Sequence, residues 1–388
     1  MFKRLICSPW LLILLMTLGL ILSFSGLTIS PDRDYHFYQA FVEALASGKL
    51  DLSIPGFHGS NVFAVIWYWI SHSKVAEIDL QMFYALLLPL SSYLAGKSLF
   101  NSKWHGLMLA AAVTMMPFVS MISGIGYTSA GLFVLMLLTI YGVCQGRWWT
   151  WITFGLAITT KPFALALLPL LWIKRSSGGS LIKRNKMILL GLLIPAAYVI
   201  IQYIQAGHIT VGVHPELNES TVWLGPRKIL LNLAYALQVL FSVHNYHYPN
   251  PGGTGHENLI HTTPVLIFLG FFALFSYKKY FDDKKLPFAL LIGVLICFGL
   301  NAIVATMNEY YMQAGVLLLI IASLNALKKH PIWIPIALAT LHFQWFYFYL
   351  AFSERLMLTN MFFASVAVVD LLFLFAVLNL YVPKLLHR

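Results

Sequence analysis

With 388 residues, 59% of them hydrophobic, only 10% charged and a formal net charge of +11, the chain departs from soluble domains, in which about a quarter of residues are charged. A mean hydropathy of +0.77 excludes a water-soluble fold of this length, so lipid must be part of the solvent. The surplus of Lys and Arg raises a nucleic-acid reading, which the placement of those residues excludes.

A membrane-crossing helix needs about 20 apolar residues. On that measure the sequence predicts an all-α polytopic bundle of twelve spans. They are 9–29, 80–100, 104–123, 127–145, 148–160, 162–174, 187–206, 262–277, 286–306, 311–327, 331–352 and 361–381. The first comes after Met1-Phe-Lys-Arg without a clear small-residue cleavage site, so it reads as an uncleaved helix. The fifth and sixth are short and meet at Lys161-Pro162, as a tight pair or one broken helix. The chain 1–388 reads as a single transmembrane domain.

Charge orients these spans. With the N-terminus inside and strict alternation, 18 of the 25 basic residues fall inside and seven outside: Arg33, Lys49, Lys74, Lys161, Arg227, Lys228 and Arg355. Of the 14 acids, 11 fall outside, Asp282 and Asp283 inside, and Asp370 within a span. The positive charge is therefore a topology signal, and nucleic acid is excluded as a partner. Both termini are expected in the cytoplasm. Cys7, Cys144 and Cys297 have neither metal-site nor disulfide spacing and read as packing residues.

Inside loops are short. Two outside segments are long, 30–79 and 207–261, and hold most of the acids and many aromatic residues. Long loops in a compact protein are functional or disordered, and these are too aromatic for disorder. In the first, Pro31 ends the opening span and Asp32 is placed to cap the next helix. Tyr35, Tyr38, Val42 and Leu45, widened by Phe37 and Phe41, form a helical stripe that Gly48 closes. Such a helix lies along a membrane interface. Residues 55–72 read as a second interfacial or re-entrant helix.

One transmembrane helix, then Asp32-Arg-Asp34-Tyr at the head of an amphipathic helix that closes with Ser47-Gly48, resembles the start of the GT-C superfamily of membrane glycosyltransferases. Thr160-Lys161-Pro162, where two short helices meet, and a Thr263-Pro-Val-Leu helix start are similar to elements of bacterial members, related to protein O-mannosyltransferases and aminoarabinose transferases. The nearest further acid in the first loop is Asp51, a poor match to the second acid of many members.

The resemblance implies inverting transfer of a sugar from a polyprenyl-phosphate donor to an envelope lipid or glycan. The setting is the outer face of a bacterial inner membrane. It implies Asp34 as the carboxylate that takes the acceptor proton, with Asp32 as helper or alternative. Lys161 is the expected contact to the carrier phosphate, and Arg227 and Lys228 are further candidates. His58 and Glu309 are expected to touch substrate. No metal centre is expected from His or Cys spacing, although Asp32 and Asp34 are placed to hold a divalent cation such as Mg or Mn.

Ordinary structural roles stand beside each of these. An N-cap serves for Asp32 or Asp34, snorkelling for Lys161 and headgroup anchoring for Arg227 and Lys228. The cluster His244, His247, His256 and His261 fits no zinc pattern, and mid-span Asp370 reads as a partnered structural acid. Alternative functions are a transporter or flippase of lipid-linked sugars, an O-antigen polymerase or ligase-like enzyme, and an assembly subunit without chemistry.

Overall fold

The structure, a computed structural model, describes residues 8–25, 35–120, 128–173, 181–207, 226–241, 263–303 and 312–342. Those residues are helical almost throughout, with no strand among them. The expected spans over 361–381 and the second half of 331–352 lie outside them.

In chain order, α1 is Pro9–Ser25, α2 Tyr35–Ala46, α3 Ala64–Ser71, α4 Ala76–Phe100 and α5 Lys103–Thr114. After the one-turn α6, Pro117–Ser120, come α7 Ser129–Gln145 and α8 Thr150–Thr160. A short 3-10 helix Pro162–Leu167 then leads into α9 Leu168–Ile173. The second half holds α10 Leu181–Ala206, α11 Pro226–Phe241, α12 Pro264–Phe275, the one-turn α13 Tyr277–Tyr280, α14 Lys285–Ile303 and α15 Gln313–Lys329.

Among the described residues, three helices are long and apolar enough to cross a membrane: α4, the stretch Ile188–Ala206 of α10, and α14. The others expected as spans are shorter among the described residues, and at two places a proline breaks them. Pro117 comes just after the end of α5, and Lys161-Pro162 separates α8 from the next helical turn. Proline lacks the N–H that would continue the ladder.

Position in the bundle is set by burial. In α4, 61% of the most apolar stretch is buried, against 17% in α10. Helix α4 packs on α5 and α7 at the centre, while α10 leans mainly on α8 from the periphery. Its outward face carries Leu189, Leu193, Ile200 and Ile204. Apolar side chains exposed along a spanning helix meet lipid, which is as apolar as they are. Small residues let helices close in: a Cβ on Gly155 of α8 would stand 2.7 Å from the Gly191 carbonyl of α10.

The helix ends sort into two sets. One end gathers Lys97 and Lys103, His105 bonded to Asn325 (2.9 Å), Gln145 bonded to Ser98 (3.2 Å), and the Lys329 ammonium donating to the Lys279 carbonyl. The other gathers segment 50–61, the N-termini of α4, α7 and α15, and the C-termini of α8, α10 and α14. We call them the basic end and the loop end.

Candidate functional site

The loop end is assembled around the segment that joins α2 to α3. Helix α2 buries Tyr35, Tyr38, Phe41 and Val42 of the expected stripe together with Gln39, while Phe37 and Leu45, also expected there, are half-buried. It packs on α3 and on the start of α4. Gly48, at φ +84, turns the chain out of α2.

The next segment lacks regular structure and is fastened by side chains of α10. Gln205 accepts from the Leu52 N–H (2.7 Å) and donates to the Leu50 carbonyl (2.7 Å). Gln202 donates to the Leu52 carbonyl (3.2 Å), and the Tyr198 hydroxyl to the Gly56 carbonyl (2.8 Å). Positions 198, 202 and 205 lie one helical turn apart, so one face of α10 holds the strap.

His58 is the pin of this segment. It is fully buried, stacked on the Phe41 ring at 4.1 Å and met edge-on by Tyr38 at 5.7 Å. Its Nε2–H donates to the Ile54 carbonyl (3.2 Å), and Nδ1 has no partner among the described residues. Burial lowers its pKa to about 4, only partly opposed by the Ile54 hydrogen bond. The imidazole is neutral at physiological pH. Its contacts are to the Phe41 and Tyr38 rings and the Ile54 carbonyl, so it fastens the segment to α2.

Immediately after it, the Gly59 N–H donates to the Thr159 carbonyl (3.1 Å). A Cβ on Gly59 would collide with Thr159 Oγ1 and the Leu156 carbonyl, and would stand 2.6 Å from the Thr160 nitrogen. Only glycine permits this approach, and the approach brings His58-Gly59 against Thr159-Thr160-Lys161.

Lys161 itself is extended (φ −153, ψ 125) at the break between α8 and the 3-10 helix, and half-buried. Its N–H closes the last turn on the Ala157 carbonyl (2.9 Å), and its carbonyl accepts from Ala164 (3.0 Å). The break arises from Pro162, which disfavours helical geometry in the residue before it. Two expected site residues, His58 and Lys161, thus flank one contact.

A buried polar cluster lies beside that contact. Gln81 of α4 donates to Asn61 Oδ1 (3.1 Å) and Ser60 Oγ (3.3 Å), and accepts from the Gly131 N–H of α7 (3.1 Å). The Tyr84 hydroxyl donates to the Ser60 carbonyl (3.2 Å). Two residues before Gly131, Ser129 accepts from Gln313 Nε2 of α15 (2.8 Å). One turn before Gln81, Glu77 is fully buried, and its N–H donates to Gln39 of α2 (3.4 Å). The hydroxyl of Tyr35 donates to the Lys74 carbonyl. Its pKa is raised, first by burial and then by the nearby charge of Glu77. That places Glu77 beside the first turn of α2, the helix that Asp34 precedes in sequence.

Of the remaining expected residues, Asp32, Asp34 and Glu309 lie outside the described residues, as do the four-histidine cluster at 244–261 and Asp370. The divalent cation expected at Asp32 and Asp34 falls there with them. Arg227 and Lys228 occupy the first turn of α11. About one turn on, Asn232 donates to the Ala302 carbonyl near the end of α14 (3.2 Å), so this turn belongs to the loop end. Among the described residues, no three His, Cys, Asp or Glu side chains gather as a metal site would require.

Glu77, Gln81, Asn61 and Gln313 are absent from the residues expected from sequence. The spacing of Glu77, Gln81, Tyr84 and Leu88 was the available signal, since it puts two polar residues on one core-facing stripe. Comparison of the chain with protein-family models, curated proteins and solved structures finds no match.

Proposed function

We propose that the chain is a polytopic membrane enzyme whose chemistry sits at the loop end. More particularly, we read it as a GT-C-like glycosyltransferase. It would use a polyprenyl-phosphate sugar as donor and an envelope lipid or glycan as acceptor, on the outer face of a bacterial inner membrane. The observation that supports this most is the Gly59–Thr159 contact. It joins two stretches about a hundred residues apart, the first long loop and the Thr-Lys-Pro element, each of which stands out independently in the sequence.

In this reading Asp34 takes the proton of the acceptor hydroxyl. The hydroxyl oxygen attacks the anomeric carbon from the side opposite the phosphate. The bond from that carbon to the phosphate oxygen breaks, and polyprenyl phosphate leaves with the electron pair. The anomeric configuration inverts. Lys161, a compact cation at the break between two helices, offsets the charge that develops on the phosphate. Arg227 and Lys228 serve the carrier from the first turn of α11. The lipid tail remains in the bilayer beside the bundle.

A second reading, a flippase for lipid-linked sugars, draws on the Gln81, Ser129 and Gln313 side chains buried between α4, α7 and α15, since polar groups within a membrane bundle mark substrate pathways. Both readings are tested by offering radiolabelled polyprenyl-phosphate sugars, with membrane lipid extract, to the purified protein in nanodiscs. Wild type is run beside Asp34→Asn, with and without EDTA. Transfer by wild type and its loss in Asp34→Asn is the expected result. Full transfer by Asp34→Asn removes that residue from the chemistry. No transfer, combined with sugar-lipid flipping in proteoliposomes, replaces the enzyme by the flippase.

A further inference from the structure

The loop end contains more buried polar atoms than its own hydrogen bonds satisfy. Asn61 Nδ2, Thr128 Oγ1 and Gln313 Oε1 are each buried without a hydrogen-bond partner among the described residues, and the fully buried Glu77 carboxyl has the Gln81 amide as its polar neighbour. Buried polar atoms without a partner occur elsewhere as well, as at His105 Nδ1 and the Tyr280 hydroxyl of the basic end, but the loop-end set lies close together. Glu77 and Asn61 both adjoin Gln81, one turn along α4 and across a 3.1 Å bond. Thr128 precedes Ser129, to which Gln313 is bonded, and Gly131 ties that pair to Gln81 (3.1 Å). The set therefore lies where α4, α7, α15 and the Ser60-Asn61 turn meet, in two hydrogen-bonded groups that share the first turn of α7.

An unsatisfied buried amide or hydroxyl costs about 1–3 kcal/mol, and a network left partly satisfied is worse than an apolar core. A purely structural role predicts the opposite, a closed network with every donor and acceptor paired. The atoms of the set also have a definite chemistry. Asn61 offers N–H donors, while Glu77, Gln313 and Thr128 offer acceptor oxygens.

A phosphate does not fit, because among the described residues no Lys or Arg is bonded into the network. A divalent cation does not fit either, because it takes several oxygen ligands including carboxylates, and among the described residues of the network Glu77 is the one carboxylate. A hydroxyl donates and accepts at once, and neighbouring ring hydroxyls match the side-by-side N–H and C=O of a planar amide.

We propose that Asn61, Glu77, Gln81 and Gln313 form a recognition site for the ring hydroxyls of a pyranose sugar, at the loop end beside the Gly59–Thr159 contact. The inference rests on the reading of the protein as one that handles lipid-linked sugars, and it names the residues that select the sugar. Asn61 is carried on the segment that Tyr198, Gln202 and Gln205 fasten to α10 by side-chain-to-backbone bonds. The sugar belongs either to the polyprenyl-phosphate donor or to a glycan acceptor, and the chemistry of recognition is the same for both.

The test is binding to the full chain in nanodiscs, read as a ligand-induced shift in unfolding temperature. The probes are polyprenyl-phosphate mannose, glucose, galactose and N-acetylglucosamine, bare polyprenyl phosphate, and soluble oligosaccharides of the same sugars. Wild type is expected to prefer at least one sugar-bearing probe to the bare carrier by about tenfold or more. A lipid-linked probe identifies the donor sugar, a soluble oligosaccharide the acceptor. In Glu77→Gln and Asn61→Asp that preference is expected to vanish, while affinity for the bare carrier stays unchanged.

Wild type that binds the bare carrier as well as every sugar-bearing probe overturns the proposal, with no need of a variant that folds. So does full sugar preference in both variants. Sugar-dependent binding without transfer overturns the enzyme reading and leaves this site standing, so the two failures are told apart.

Discussion

At the basic end of the bundle, helices are joined by short turns such as Asn101-Ser102 and 146–149, and cations lie on the surface. Two of them, Lys279 and Lys329, stand over the Tyr280 ring at 5.4 and 5.6 Å. At the loop end there is an irregular strap, a buried neutral histidine, a glycine contact that admits no side chain, and a polar network set between helices. The basic end keeps its lysines in water and buries a histidine of its own, His105, which is stacked on Phe100 and bonded to Asn325 (2.9 Å). The loop end brings polar groups into a low-dielectric interior, which a fold does at a cost in stability unless they serve a purpose. The clustering of these groups between α4, α7 and α15 marks the loop end as the place to look for function.

The contrast is sharpest at Gly59. Replacing it with Val puts a side chain into the Leu156 carbonyl and the Thr160 nitrogen, which are backbone and cannot rotate away. The expected loss is about 3 kcal/mol or more, read as failure to recover folded protein or as a large drop in the detergent-unfolding midpoint. A Val variant as stable as wild type would show that the strap does not dock on α8.

His58 gives the next effect. Its folded-state pKa of about 4 lies below its ordinary 6.5, so the fold favours the neutral ring. The stability it contributes is complete above its unfolded pKa. It is lost as pH falls through the window between about 6.5 and about 4, amounting to about 3 kcal/mol. Equilibrium unfolding across that window should show the slope in wild type, and a slope reduced by one proton in His58→Gln, whatever the baseline of the variant. Equal slopes would mean that His58 is solvated in the folded protein.

Effects at the basic end are smaller. Gly146 ends α7 at φ +63, so Gly146→Ala should cost about 1–2 kcal/mol by strain alone. Lys329→Ala should change stability by less than about 1 kcal/mol, and less still at high salt. A loss as large as that of Gly59→Val would erase the distinction between the ends.

Much of this was legible in the sequence because it rests on local signals. Tyr35, Tyr38 and Val42 gave the buried face of α2, and Lys161-Pro162 marked the break after α8. The clustering of Lys and Arg in short loops anticipated the basic end. Glu77 was not legible as a core residue because segment 30–79 read as loop, whereas α4 begins at Ala76. In a helix apolar on every side, no periodicity marks the boundary, and an acid near the start reads as solvated. Gln313 was hidden for another reason. Its partner Ser129 is 184 residues away, and no local pattern announces a bond between the starts of two apolar helices.

Every role proposed for the loop end depends on the two ends facing opposite sides of a membrane, with the loop end outward. The direct measurement is labelling of single cysteines by an impermeant maleimide in intact cells, in a chain whose Cys7, Cys144 and Cys297 are replaced by Ser. Ser53→Cys and Asp283→Cys are suited to it, since both residues are exposed, one at each end. With the loop end outward, Ser53→Cys is labelled in intact cells and Asp283→Cys only after permeabilisation. Labelling of both in intact cells, or the reverse order, would contradict that orientation.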